Sequence, residues 1–279
     1  MSAVLKLMET ASDLAKRPDP EDYFEKGIRY CGKCHTPKEC SVDVGFKVIR
    51  VNCLCKCEAE AKEADRERRR IEEALSHERD FKNRCIQDQA MKLWRFESDE
   101  EPESKQMRYA RRYVSQWEKV YAENIGLCFY GSVGTGKSFA AACIANALVD
   151  KHIPAMMTSF SRIMNSMPEI WSGERNEYIN SFDRYKLLII DDLGVERSTD
   201  YVLEMIYQII DARYKNKQPL IITTNLAWRD LKNPEDVKIG RIYDRIVEMC
   251  LPVQVEGKSK RVAENQKKRE EARLIFEGC

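Results

Sequence analysis

Apolar positions along this chain follow two rhythms, separated by stretches that show neither. From Leu127 onward, short unbroken apolar runs alternate with segments of helical period. The runs are Leu127–Tyr130, Pro154–Thr158, Leu187–Ile190, Leu220–Thr223 and Leu251–Val255, the pattern of strands buried on both faces. Between them, Ser138–Val149 sets Ala140, Ala141, Ile144, Ala145 and Leu148 on one side of a helix. Asp200–Asn216 carries Val202, Met205, Ile206, Ile209 and Ile210 at i, i+3, i+4, i+7 and i+8. Ser161–Met167 and Gly240–Glu248 read as shorter helices, and Lys258 onward as a basic one. Strands alternating with helices predict an α/β domain whose parallel sheet is covered on both faces.

Upstream the apolar pattern thins. Met107, Ala110, Val114, Trp117, Val120 and Tyr121 recur at helical spacing and predict one helix over Lys105–Asn124. The acidic, turn-like stretch Phe96–Pro102 marks the boundary before it. Glu58–Arg84 lacks Gly and Pro, is dense in alternating charge, and predicts a helix. Its apolar residues, Ile71, Ala74, Leu75 and Phe81, are too few for a core stripe, so a solvated spacer laced with i,i+4 ion pairs is expected; a short coiled coil is the alternative. The chain therefore divides into an N-terminal segment (1–57), a charged helical linker (58–104) and a main domain (105–279).

Composition narrows the function classes. The 279 residues hold 47 Lys+Arg against 46 Asp+Glu, so no global basic field advertises nucleic acid, although local patches remain open. No apolar run approaches the roughly 18 residues of a membrane span. The opening residues carry Lys6, Glu9, Asp13, Lys16 and Arg17 and do not read as a secretory signal. A cytoplasmic protein is expected, with no membrane partner.

Cysteines crowd one short stretch. Cys31 and Cys34 form a C-x2-C knuckle, and Cys53, Cys55 and Cys57 follow about twenty residues later, spacing that suits a small zinc ribbon. The favoured ligands are Cys31, Cys34, Cys55 and Cys57, with Cys53 able to replace either later one. Cys40 and His35 fit less well, His35 because it adjoins Cys34. Free thiols in a leader are the alternative. Zinc would fold a segment too small to bury its own core.

The strongest chemical signal is Gly131-Ser132-Val133-Gly134-Thr135-Gly136-Lys137-Ser138, between a predicted strand and a predicted helix. Glycines let successive N–H groups point inward as an anion nest, and the helix adds the positive end of its dipole. Lys137 supplies charge for β- and γ-phosphates, and Ser138 a hydroxyl for Mg²⁺. Asp191 ends a buried strand at the carboxyl edge of the sheet, where it can hold the metal. Asp192 is the candidate general base for an attacking water; its alternative role is to cap the turn at Gly194. Asn225 ends the next strand and can bridge γ-phosphate and water, or simply form a turn. The ATP-binding set is Gly131 to Ser138 with Phe139.

With these residues in hand, the chain resembles the AAA+ ATPases of the DnaC/DnaI helicase-loader and IstB-like group. The matching motifs are Gly131–Ser138, Leu187–Gly194, Ile221–Asn225 and Gly240-Arg241-Ile242-Tyr243-Asp244-Arg245-Ile246, within roughly Met107 to Arg273. The resemblance implies a five-stranded parallel sheet without a sizeable C-terminal helical lid. It makes Arg245 an arginine finger reaching a neighbouring subunit, and Arg261, or less well Lys260, a sensor for the nucleotide. Read from residues alone, Arg241 and Arg245 can instead pair with Asp244 or Glu248. The expected function is ATP-dependent loading of a DnaB-like replicative helicase onto single-stranded DNA by a homo-oligomer formed on ATP binding, with the zinc segment docking the partner. Arg162 and Phe160 are candidate DNA contacts, and the basic C-terminal helix is either a phosphate contact or simply solvated. The alternatives are an IstB-like transposition helper on duplex DNA and a zinc-dependent adaptor that hardly turns over ATP. Asp192 stands where many AAA+ proteins carry Glu, so slow turnover is expected.

Overall fold

The computed structural model describes residues 19–166, 174–194, 199–257 and 259–277. The opening stretch read against a secretory signal, and Met167 at the end of one predicted helix, lie outside the described residues. So does the side chain of Arg261.

Two compact units divide the chain, residues 1–79 and 80–279. The first carries two antiparallel hairpins, β1 (Tyr23–Glu25) with β2 (Ile28–Tyr30) and β3 (Glu39–Asp43) with β4 (Val48–Asn52). Their strands are largely exposed, as expected where too few apolar residues exist to cover either face. Helix α1 (Lys56–Cys85) follows. Over its charged length Asp65 pairs with Arg68 and Arg69, and Glu63 with Arg66, the one-turn contacts expected of a solvated helix.

The linker expectation fails after Arg79. Cys85 and Ile86 are buried in the core of the second unit, and Ile86 makes a parallel bridge to Met157. Residues 80–104 thus belong to the main unit rather than to a spacer. The reason is visible at Asn146, whose Nδ2 donates to Met91 O and Trp94 O, each at 2.8 Å, and so ties that stretch onto a core helix. The single helix expected over Lys105–Asn124 is two, α2 (Lys105–Ser115) and α3 (Trp117–Ala122). At Gln116 the backbone leaves helical geometry (φ −108°, ψ 22°), and Trp117 and Val120 are buried beyond it.

In the main unit β5 (Gly126–Tyr130), β6 (Ala155–Ser159), β7 (Leu187–Asp191), β8 (Leu220–Thr224) and β9 (Cys250–Gln254) form one parallel sheet in the order β6-β7-β8-β5-β9. Three of the predicted apolar runs fall inside strands buried almost throughout; β6 and the edge strand β9 are each offset from their runs by one residue. Helix α4 (Lys137–Val149) is buried nearly all round, not on one side, because α2 packs against it as well as the sheet. Helices α5 (Phe160–Ser166) and α6 (Arg175–Ser181) follow β6. Helix α7 (Asp200–Lys215) starts at Thr199, whose hydroxyl accepts from Val202 N, and α8 (Trp228–Lys232) follows β8. Helix α9 (Val237–Met249) is capped by the Asp236 carboxylate and packs on α7. The basic helix α10 (Lys260–Glu277) ends the described chain. Since β5 lies between β8 and β9, its carboxyl end opens beside that of β8, the place where parallel α/β sheets hold ligands.

Candidate functional site

The P-loop leaves the tip of β5 and enters α4. Gly131 stands at φ +141°, and a Cβ there would collide with Val255 O, so only glycine passes this turn beside β9. Gly136 caps α4 at φ +94° with open space where a Cβ would lie, leaving the helix N-terminus accessible to an anion. Thr135 Oγ1 donates to Ser132 O at 2.9 Å and closes the loop on itself.

Lys137 is buried, and its Nζ donates to Gly131 O (2.9 Å), Ser132 O (2.7 Å) and Asn225 Oδ1 (2.8 Å). The other end of Asn225 donates from Nδ2 to Asp192 Oδ1 at 2.9 Å. One hydrogen-bonded line therefore joins the P-loop lysine, the polar tip of β8 and the candidate base. The Asp192 carboxylate thus meets Asn225, and both residues line the same cavity. Asp192 holds φ +54°, a conformation Asp tolerates better than most residues and one that turns it away from the line of β7.

Thr223 organises both acids. Its Oγ1 donates to Asp191 Oδ1 at 2.7 Å and accepts from Asp192 N at 2.8 Å. Thr224 Oγ1 donates to Leu193 O at 2.8 Å, stapling the same turn to β8. Burial raises the Asp191 pKa, while hydrogen bonds with Thr223 and Ser138 and the Lys137 charge pull the other way; the net shift is upward. An oxygen-only pair, the Asp191 carboxylate and the adjacent Ser138 hydroxyl, fits the hard-ligand preference of Mg²⁺.

These groups open onto a cavity of about 460 Å³. Part of its lining was not legible in the sequence: Trp94, Ser98, Asp99 and Glu100 line it together with Gly134, Gly136 and Phe139. Trp94 and Phe139 lie ring to ring, centroids 5.8 Å apart. Asp99 Oδ1 accepts from Glu101 N at 3.0 Å and Arg111 Nη2 donates to Phe96 O at 2.9 Å, which fixes this part of the lining in place. An apolar face beside a phosphate nest is the shape a nucleotide needs.

Arg245 does not line this cavity; it sits on α9 against α7. The stretch carrying Arg261 passes the P-loop at Ser259, whose side chain occupies the space a Cβ on Gly134 would need. Arg162 is exposed on α5; the side chain of Phe160 lies outside the described residues.

In the first unit, Cys31, Cys34, Cys55 and Cys57 bring their sulfurs within 4.8 Å of one another. Cys57 lies 3.6 Å from Cys31 and 3.3 Å from Cys55, sulfur to sulfur. A tetrahedral zinc–thiolate site with bonds near 2.3 Å separates its sulfurs by about 3.8 Å, so the cluster fits that ion. Cys53 falls outside the group, its Sγ 3.7 Å from Pro37 O, and the His35 ring pairs with Tyr23. The Thr36 hydroxyl, followed by the Cys57 backbone, draws the Cys34 thiol down to about 5. Lys38, buried beside the knuckle, bridges Asp22 (2.9 Å) and Glu58 (3.2 Å).

The chain is similar to known proteins in sequence and in fold. Replicative helicase loader DnaI of Bacillus subtilis is 27% identical over 164 residues, covering 54% of this chain and 53% of its own length. Replicative helicase loader DnaC of Escherichia coli K12 is 32% identical over 125 residues, 44% of this chain and 50% of its own. The chain thus spans about half the length of these curated relatives. A crystal structure of DnaI shares the fold at TM-score 0.53 and 22% identity, over 64% of this chain and 96% of that one. A DnaC helicase-loader structure does so at 0.51 and 24%, over 61% of this chain and 100% of that one. No described helix is long and apolar enough to cross a membrane. The family of IstB-like ATP binding proteins matches residues 50–269, and to that family this chain belongs.

Proposed function

We propose that this chain is an ATPase that loads a DnaB-like replicative helicase onto single-stranded DNA in the cytoplasm. The observation that carries the reading is the line from Lys137 through Asn225 to Asp192, with Thr223 joining Asp191 to it, at the carboxyl edge of the sheet. Each member has one task. The curled amides of Gly131–Gly136 and the Lys137 ammonium bind the β- and γ-phosphates of ATP. Ser138 and Asp191 are the ligands for Mg²⁺, which supplies charge neutralisation when bound. Asp192 takes the proton of the attacking water, and Asn225 holds that water and the lysine in one plane of contacts. Trp94 and Phe139 exclude solvent on the base side. Arg245 serves a neighbouring protomer's ATP, and Arg261 senses the nucleotide in its own. The thiols of Cys31, Cys34, Cys55 and Cys57 hold zinc and keep the first unit folded for docking the helicase.

Support comes from relatives named as replicative helicase loaders and from a shared fold with DnaI and DnaC structures. The test is ATP turnover and helicase loading by the full chain, with single-stranded DNA, duplex DNA, or neither. Lys137→Ala is expected to abolish nucleotide binding, and Asp192→Asn to keep binding and lose hydrolysis. Turnover stimulated by duplex DNA and a transposase, without helicase loading, would replace this reading with a transposition helper. Tight ATP binding without turnover under any condition would leave a zinc-dependent adaptor.

A further inference from the structure

Helix α9 presents Arg245 to α7, and the way α7 holds it is unusual for a surface pair. Arg245 Nε donates to Asp211 Oδ1 at 3.1 Å. The guanidinium lies over the Tyr214 ring, Cζ 4.3 Å from the centroid. Nη1 reaches Glu248 Oε2 at 3.5 Å and Asp244 Oδ2 at 3.8 Å, both long. The hydrogen bonds of Arg245 among the described residues run from Nε and Nη1, not from Nη2. Behind this grip, Tyr214 Oη donates to Glu248 Oε1 at 2.6 Å, and Asp211 Oδ2 takes Lys215 Nζ at 2.6 Å.

Two features separate this from an ordinary exposed ion pair, which contributes little. The first is burial: the Asp211 side chain is only 9% exposed, so its carboxylate is a fixed feature of α7. Burial alone would raise its pKa, but Lys215 and Arg245 more than offset that and leave it below the ordinary value, hence charged at neutral pH. The second is which atoms are used. An arginine and carboxylate paired for their own sake commonly meet fork to fork through two parallel bonds. Here the carboxylate takes Nε, the tyrosine supports one face, and Nη2 is left over. A guanidinium held by its inner edge is pre-aimed, with its rotamer freedom already removed.

We propose that Asp211, with the Tyr214 ring, is a positioning residue for Arg245, setting the guanidinium so that Nη2 meets the terminal phosphate of ATP bound to a second copy of this chain. The inference rests on the reading of Arg245 as an arginine finger, and adds the group that orients it. Asp211 touches no nucleotide in its own protomer; it acts only through Arg245, on the neighbour.

That division of labour has a distinctive test. Asp211→Asn keeps the shape and one acceptor oxygen but removes the charge. In the assembled full-length protein it is expected to lower kcat roughly ten- to hundredfold, the scale of a misplaced catalytic contact, with the KM for ATP unchanged. Mixed in equal amounts with Asp192→Asn, which turns over no ATP itself, activity should recover. The Asp192→Asn protomer lends a well-aimed Arg245 to the intact P-loop of its partner. A merely structural defect in Asp211→Asn would stay with its own subunit and would not be rescued. Lys215→Ala, which removes only the exposed outer partner of Asp211 and leaves Arg245 bound to it, should change kcat less than about twofold. If Asp211→Asn does not fold, Tyr214→Ala carries the same mixing test.

The control is Arg245→Ala, alone and mixed with Asp192→Asn. If Arg245→Ala loses turnover and is rescued by mixing while Asp211→Asn keeps full kcat, or is not rescued, the positioning role is overturned and the finger stands. If Arg245→Ala keeps full turnover, the finger reading itself falls, and this inference with it.

Discussion

In the second unit Phe129, Ile189, Ile206 and Ile222 are fully buried members of one continuous apolar cluster. In the first, the buried apolar side chains among the described residues are Cys31 and Cys55, and the buried polar one is Lys38 between two carboxylates. One region is stabilised by removing hydrocarbon from water; the other has no such term to draw on and gathers thiols and charges instead. The nucleotide-binding edge can therefore be rigid without metal, while the cysteine unit would depend on an ion held by its four thiols. Rigidity matters at the edge because Thr223 must present one hydroxyl to two acids at once, a placement a fluctuating sheet would lose.

The largest expected effect sharpens this contrast. Chelation should remove about 10–16 kcal/mol of metal-coupled folding energy from the first unit, exposing residues 19–57 to protease while ATP binding by the second survives. Equal protease resistance with and without chelator would break the comparison. Next, Ile189→Ala should cost the second unit about 2–5 kcal/mol in urea unfolding, by lost burial and the cavity left behind, with zinc content unchanged. Thr223→Val, nearly the same shape, should cost about 1–3 kcal/mol because the Asp192 amide and the Asp191 carboxylate lose their shared hydroxyl. It should leave nucleotide binding in place and lower hydrolysis, read by nucleotide titration beside steady-state turnover. The smallest effect concerns Asp22→Asn. The hydrogen bond from Lys38 holds the Asp22 carboxyl below its ordinary 3.8 against the opposing pull of burial. A depressed carboxylate pKa contributes stability that is present above the unfolded value and lost as pH falls through the folded one. The advantage of the native residue over Asn, measured by thermal melting, should therefore be small at neutral pH and vanish in acid.

Local chemistry was legible from the chain itself. Gly131–Ser138 declares a phosphate nest because the motif is contiguous, and Asp191 declares itself by ending an apolar run. The five strands and the longer helices between them follow from periods of two kinds that burial on both faces, or on one, imposes; the short helices Arg175–Ser181 and Trp228–Lys232 carry too few turns to show a period. The cysteine spacing likewise picks out the four thiols that the fold gathers. What the fold decided are meetings between residues far apart in sequence. Trp94 meets Phe139 in the cavity lining because Asn146 ties the stretch around Met91 and Trp94 to α4, which is also why residues 80–104 group with the second unit. Spacing favours Cys55 and Cys57 over Cys53, but it is the fold that gathers them with Cys31 and Cys34 and leaves Cys53 beside Pro37. Asp211 reads as one more charge on an amphipathic helix until α9 brings Arg245 to it. A one-dimensional pattern reports which face of an element is apolar, since that depends on neighbours three or four residues away. It carries no record of which polar side chains share a hydrogen bond once two faces close, because that is set by the packing of elements and not by either one.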